Sequence, residues 1–268
     1  MITRPFGQTG VSVAVVGQGT WRMGEDRRAF RDEVAALRLG IELGLTHIDT
    51  AEMYGDGGAE GVVAEAVAGQ RDRVFVTTKV LPSNASYAGT LRACEASLRR
   101  LRTEYVDLYL LHWWSGAHPI AETMRAMEEL VGRGLTRFVG VSNFDVPQLD
   151  AAQAALGRER LAGNQVLYHL RDRGIERAVL PHCERARIAV VGYTPLARGG
   201  FLRGAVAEIA RRHGRPPRQV ALNFLTRRPG LFTIPKASRP EHVRENAGAL
   251  DFTLAPKDVA AIDAAFKA

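Results

Sequence analysis

The chain has 268 residues, 46% of them hydrophobic and 24% charged, which suits one large core beneath an ordinary globular surface. It contains no run of about 18 apolar residues, excluding a membrane-spanning helix, and its opening MITRPFGQTG lacks the apolar stretch of a secretory signal. The net charge of +7 excludes neither an anionic small ligand nor a nucleic acid.

The opening TRPFGQTGVSVAVV predicts a small hairpin around Gly7–Gly10. Strand-like runs follow at 12–19 (SVAVVGQG), 45–50 (LTHIDT), 73–80 (RVFVTTKV) and 105–113 (YVDLYLLHW). They continue at 136–143 (TRFVGVSN), 164–168 (NQVLY), 188–195 (IAVVGYTP) and 230–236 (GLFTIPK), making eight. Segments of helical spacing lie between them, as in Phe30, Val34, Leu37 and Ile41, or Leu91, Cys94, Leu98 and Leu101. Ile120, Met124, Met127 and Val131 repeat the pattern, and LAPKDVAAIDAAF adds a last helix with Val259, Ile262 and Phe266 on one face. Eight near-continuous apolar strands, each followed by a helix, predict an α/β fold of the (β/α)8 TIM-barrel type. The hairpin would close its bottom. With no Pro/Ser-rich linker, residues 1–268 read as a single barrel domain.

The basic run RRHGRPPR (211–218) is the best local support for nucleic-acid binding. It has no interleaved aromatics and no nucleic-acid module around it, so it reads as a solvated basic face. Cys94 and Cys183 lie far apart and outside any CxxC pair, predicting a reduced cytoplasmic protein with no disulfide frame and no zinc cluster.

The chemistry concentrates at the C-terminal ends of the strands, which face one mouth in a barrel. Asp49 ends the second strand, Lys79 the third and His112 the fourth, while Tyr54 sits on the glycine-rich loop after the second. Singly, each has an ordinary explanation: Asp49 as a helix cap, Tyr54 as cover for the barrel edge, Lys79 reaching solvent, His112 in the core. Their convergence favours a catalytic set. A free phenol ionises near 10, but a lysine about 4 Å away supplies roughly 4 kcal/mol at an effective dielectric of about 20, or about 3 pKa units. Such a phenol can donate a proton to a developing alkoxide, with Asp49 holding the lysine and His112 orienting a carbonyl. Hydride transfer is the matching event at carbon.

With HIDTAEMYG, VTTKV and YLLHW in this order, the chain resembles the aldo-keto reductases, in particular compact bacterial members that reduce methylglyoxal and other small aldehydes. The resemblance implies Tyr54 as general acid, Lys79 and Asp49 as its tuners, and His112 as the carbonyl-orienting residue. It also implies NADP(H) bound across the barrel top without a Rossmann fold. GQGTWRMG misplaces the third glycine of the dinucleotide fingerprint, and no Walker A segment occurs. On the family pattern, Ser142, Asn143 and Gln165 hold the carboxamide and Tyr193 stacks on the nicotinamide. Gly19, Thr20, Asp49, Thr194, Pro195 and Leu196 would line the same channel. Taken alone, Ser142 and Asn143 could cap the helix beginning near Pro147, and Tyr193 could be core.

The adenine end of the channel falls, by the same resemblance, on Ile234, Lys236, Ala237, Ser238, Arg239, His242, Glu245 and Asn246. Lys236 pairs with the 2′-phosphate, helped by Arg239. Ala237 replaces a common hydroxyl residue and His242 a common arginine, which predicts a weakened preference for NADP. Trp21, Met53, Tyr54, His112 and Trp113 would wall a pocket for a small carbonyl substrate, with Trp114 beside them or packed under a loop. The expected activity is NADPH-dependent reduction of small aldehydes or ketones, by a monomer with no nucleic-acid or membrane partner. The alternative is an NADP(H)-binding sensor or partner-binding protein with slow turnover.

Overall fold

The computed structural model describes residues 2–267. Strands β1 (Thr3–Pro5) and β2 (Ser12–Ala14) pair antiparallel, with Thr3 opposite Ala14. The predicted first strand, 12–19, is therefore two elements. Its start belongs to the hairpin, and β3 (Gln18–Gly19), preceded by a single bridge at Val16, joins the barrel sheet. The handover falls at Gly17, where an added Cβ would stand 2.9 Å from the Cβ of His47. Only glycine allows that approach.

The barrel continues through β4 (His47–Asp49), β5 (Phe75–Val80), β6 (Val106–Leu111) and β7 (Thr136–Ser142). It ends with β8 (Leu161–Leu167), β9 (Ala189–Tyr193) and β10 (Leu231–Thr233). The eight strands from β3 to β10 pair in parallel and in chain order. The sheet closes on itself through parallel bridges, Val16 to Thr233 and Gly19 to Lys236. At Gly19 a Cβ would stand 2.6 Å from the Ile234 carbonyl oxygen, so a larger residue would force the closing seam apart.

Around the sheet run α1 (Phe30–Glu42), α2 (Gly58–Val67), α3 (Tyr87–Leu101), α4 (Ile120–Gly132) and α5 (Val146–Ala155). They are followed by α6 (Val179–Ala186), α7 (Ala205–His213), α8 (Pro217–Leu225), α9 (Pro240–Ala247) and α10 (Pro256–Ala265). Strand residues alternate between two cores. Val76, Tyr109 and Val139 pack outward against the helices, whereas Phe75, Leu108, Leu110 and Phe232 fill the barrel. Phe6, from the hairpin turn, plugs the bottom, its ring 5.2 Å from Phe75 and 5.0 Å from Phe232. In α10, Ile262 is buried and Val259 and Phe266 pack beside it.

The basic run 211–218 differs from a freely solvated face. Arg212 pairs with Glu208 and Asp258, His213 lies 2.7 Å from Asp258, and Arg218 pairs with Glu245. Arg215 lies over the Phe252 ring. Asp258 is buried at the start of α10, and the hydrogen bonds from His213 first and Arg212 second hold its carboxyl down at about 2. Much of this charge braces α7 and α8 against the C-terminal segment. No helix among the described residues is long and apolar enough to cross a membrane.

Candidate active site

Parallel register sets Asp49, Lys79 and His112 at neighbouring strand ends. Asp49 ends β4, Lys79 is the penultimate residue of β5, and His112 follows β6, its backbone N–H donating to the Val80 carbonyl. Lys79, far from reaching solvent, is fully buried. Its ammonium donates to Asp49 Oδ2 at 2.8 Å, to the Thr50 carbonyl at 2.7 Å and to Tyr54 Oη at 3.5 Å. Three acceptors saturate the three N–H bonds of an ammonium. Gln165 Nε2 holds the other Asp49 oxygen at 2.6 Å, and Thr20 bonds the Asp49 carbonyl through both its N–H and its hydroxyl.

Tyr54 opens a tight loop whose next residues, Gly55, Asp56 and Gly57, all have positive φ. Two glycines make this run affordable, and it turns the phenol back over Lys79. The His112 ring lies edge-on to Tyr54 at 5.7 Å, with Trp113 a further 5.0 Å from His112.

The electrostatics differ from the simple expectation of a lysine-depressed phenol. Burial pushes Tyr54 above its usual value; Lys79 pulls it down, but Asp49, two bonds of the same network away, pushes it up again. Desolvation wins, so Tyr54 is a protonated phenol at neutral pH. Burial likewise holds the Asp49 carboxyl above its usual range despite Lys79. Lys79 stays charged: burial works against its charge, but Asp49 and Tyr54 together raise it above its usual value. His112 is pushed down to about 3, by burial first and Lys79 second, so its imidazole is neutral, and its Nδ1 is buried without a partner. A neutral imidazole offers one N–H to an oxygen.

Beside this cluster, Asn143 gives both amide hydrogens to internal acceptors, the His112 carbonyl and Ser142 Oγ, each at 3.1 Å. Its Oδ1 accepts from the Tyr193 hydroxyl at 2.9 Å. One acceptor position on Asn143 and the Ser142 hydroxyl proton remain, which match the N–H and C=O of a carboxamide. Gln165 gives one amide hydrogen to Asp49 and keeps its oxygen and its second N–H for a ligand. Neither Ser142 nor Asn143 caps α5; Asp145 does, in a capping box with Gln148. Tyr193 is half-buried rather than core. Asn143 and Thr194 both sit at positive φ, and for β-branched Thr194 that is a strained conformation.

The second group lies across the closing seam. Ile234 is buried; Lys236 and Arg239 are exposed, with Lys236 Nζ 3.2 Å from Ser238 Oγ. Arg239 is the N-cap of α9, whose first turn contains His242, so two cations and a helix N-terminus meet there. Glu245 pairs with Arg218, while the buried Asn246 Oδ1 has no hydrogen-bond partner. Pro195 is buried and Leu196 and Ala237 are half-buried between the two groups. Around the mouth, Trp21, Met53, Trp113 and Trp114 are all exposed. The Trp114 indole is pinned to the His118 carbonyl at 2.8 Å, so it packs on its own loop. The Thr50 carbonyl and the grip of Gln165 on Asp49 carried no sequence signal, because a backbone acceptor has no residue type and Gln165 is 116 positions from Asp49.

A closed parallel barrel with this buried Asp–Lys–Tyr line at its mouth defines a class, and the chain belongs to the aldo/keto reductase family, whose model matches residues 15–267. It is 49% identical over 264 residues to methylglyoxal reductase YeaE of Escherichia coli, covering 96% of this chain and 93% of that one. Glyoxal reductase of Bacillus subtilis is 32% identical over 256 residues, covering 95% and 90%. The crystal structure of an aldo/keto reductase from Klebsiella pneumoniae in complex with NADP and acetate superposes with a TM-score of 0.93 at 47% identity, covering 98% of this chain and 95% of that one. The chain is thus an oxidoreductase of this family.

Proposed function

We propose that this chain reduces small aldehydes or ketones to alcohols with NADPH, and that Tyr54 supplies the proton. The observation that carries the reading is the buried line Asp49–Lys79–Tyr54, ending in a protonated phenol beside a neutral imidazole at an aromatic-rimmed mouth. The relatives named for methylglyoxal and glyoxal reduction, and the neighbour solved with NADP, support it.

NADPH, when bound, supplies the hydride to the carbonyl carbon. His112 donates an N–H to the carbonyl oxygen and sets it against Tyr54. As negative charge grows on that oxygen, the Tyr54 hydroxyl transfers its proton, giving the alcohol. The phenolate left behind sits 3.5 Å from the Lys79 ammonium, where the charge is stabilised until solvent returns a proton. Asp49 keeps Lys79 in place. Ser142 and Asn143 offer the carboxamide contacts, Tyr193 a ring face, and Lys236 with Arg239 the positive charge for a 2′-phosphate. The working unit is the whole of 1–268 as one barrel domain. Cys94 and Cys183, both buried and free, accord with the reducing cytoplasm as its compartment.

The test is Tyr54→Phe, assayed by NADPH absorbance with a small aldehyde. The expected result is a kcat lower by about 10² or more with NADPH affinity kept. A folded variant with near-normal kcat overturns the assignment. Wild-type protein that binds NADPH but shows no steady turnover of any carbonyl in a panel favours a sensor instead.

A further inference from the structure

Behind the Tyr54–Lys79 pair, on the outer face of the barrel, lies a second buried ionic group. Thr78 neighbours Lys79 on β5, so its side chain faces away from the mouth, toward α2 and α3. Its hydroxyl donates to Glu60 Oε1 at 2.6 Å. Glu60 is fully buried in the first turn of α2, and its Oε2 accepts from Arg100 Nε, on α3, at 2.5 Å. The Arg100 guanidinium is fixed further by Ser97 Oγ at 3.1 Å. Arg100 then lies across Gly57, the last residue of the left-handed run after Tyr54. A Cβ there would overlap Arg100 Cδ and stand 2.6 Å from its Nε. One carboxylate thus holds the strand that carries Lys79 with one oxygen, and with the other the side chain that covers the Tyr54 loop.

We propose that Glu60 and Arg100 are positioning residues for the proton donor, fixing the separation of Tyr54 from Lys79 without touching substrate or cofactor. This rests on the reading of Tyr54 as the acid. A loop made of Gly55, Asp56 and Gly57 at positive φ is held from within by a single 3-10 turn, in which the Gly58 N–H donates to the Tyr54 and Gly55 carbonyls, and glycine widens its choices. Glu52 anchors the other side, accepting from the Leu81 N–H at 2.6 Å and from Asn84 Nδ2 at 3.1 Å. On the Gly57 side the backbone also packs on Gly24, where a Cβ on Gly58 would stand 2.5 Å from the Gly24 carbonyl oxygen, so losing Arg100 removes the side-chain cover of Gly57 and lets the phenol withdraw from Lys79.

The charged and titratable groups facing Tyr54 are Lys79, Asp49, His112 and Tyr193. Of these, Lys79 is the one that favours the phenolate. Lengthening 3.5 Å to about 5 Å removes about a third of that attraction, which at an effective dielectric of about 20 raises the ionisation midpoint of Tyr54 by about one pH unit.

The experiment compares wild type, Arg100→Met, Arg100→Lys and Tyr54→Phe. Three quantities are read: kcat and KM for a small aldehyde, NADPH affinity by fluorescence, and the titration of the labelled Tyr54 ring carbon by NMR, assigned with Tyr54→Phe. Arg100→Met is expected to lower kcat about tenfold with KM and NADPH affinity nearly unchanged. Its Tyr54 midpoint is expected to move up by about one unit, and Arg100→Lys to restore most of both. Adding Arg100→Met to Tyr54→Phe is expected to cost no further rate, since the two act through one group. An unmoved Tyr54 midpoint in folded Arg100→Met overturns the inference, whatever happens to Tm. If Tyr54→Phe itself keeps its kcat, the parent reading has failed instead, and the two results are distinct. Should Arg100→Met not fold, Glu60→Leu carries the test: it removes both hydrogen bonds of the carboxylate and frees Arg100, and a midpoint equal to wild type in that folded variant is the overturning result.

Discussion

Replacing Lys79 by methionine removes an ammonium that is completely buried and leaves Asp49, also buried, with Gln165 as its remaining side-chain partner. From its place at a strand end, Lys79 reads as a residue acting on rate alone, with little effect on melting. The structure changes that expectation. Breaking a buried ion pair by removing one partner costs about 3–5 kcal/mol, because the other charge stays desolvated. For a chain of this size that is a fall in Tm of roughly 10 °C. The loss is tied to pH. Burial already holds Asp49 above its usual range, and without Lys79 it rises further. Between the unfolded and folded values the native state binds more protons than the unfolded chain, so stability falls as pH rises through that window and returns on acidification. The stability gap between Lys79→Met and wild type should therefore narrow from pH 7 toward the acid range. Adding Asp49→Asn should close much of it at neutral pH. Rate should behave differently: a unit charge 3.5 Å from the phenolate is worth up to about 5 kcal/mol at an effective dielectric of about 20, so kcat should fall by at least 10²-fold and stay low in the double variant. Calorimetry at several pH values and aldehyde reduction read the two effects separately. A pH-independent gap, or activity recovered together with stability in the double variant, refutes this reasoning.

Lys236→Ala should weaken NADPH by roughly 10–150-fold, the worth of a charge-assisted contact, while NADH changes little. Titration with both cofactors checks it, and equal losses would make Lys236 a support of the seam. His47 and His112 are both pushed down to about 3, by burial and then by Lys79. The unfolded chain takes up those protons first, near pH 6.5, so each residue withdraws stability as pH falls from there toward 3. His47, wedged between Phe6 and Phe75 with both ring nitrogens unpartnered, can be tested alone. His47→Leu should flatten the acid side of the Tm–pH curve, and an unchanged slope would remove His47 from the account.

The alternation of apolar strands and 3.6-period helices was enough to determine the barrel, because burial on both strand faces writes itself into local composition. Asp49, Lys79 and His112 were legible for a related reason: polar side chains at the ends of apolar runs stand out, and strand ends in a barrel share one mouth. The place where 12–19 leaves the hairpin for the sheet was not legible, since Val15, Val16 and Gly17 look alike in either role and the break is decided by the approach of Gly17 to His47. Nor could charge type alone give the ionisation of Tyr54. A lysine nearby lowers a phenol in water, but here the same walls that bring Lys79 within 3.5 Å also strip solvent from the phenol and bring Asp49 with it, and the balance turns upward. Residue identity is local information. Desolvation, and the hold of Gln165 on Asp49 across 116 positions, exist only once the chain has closed.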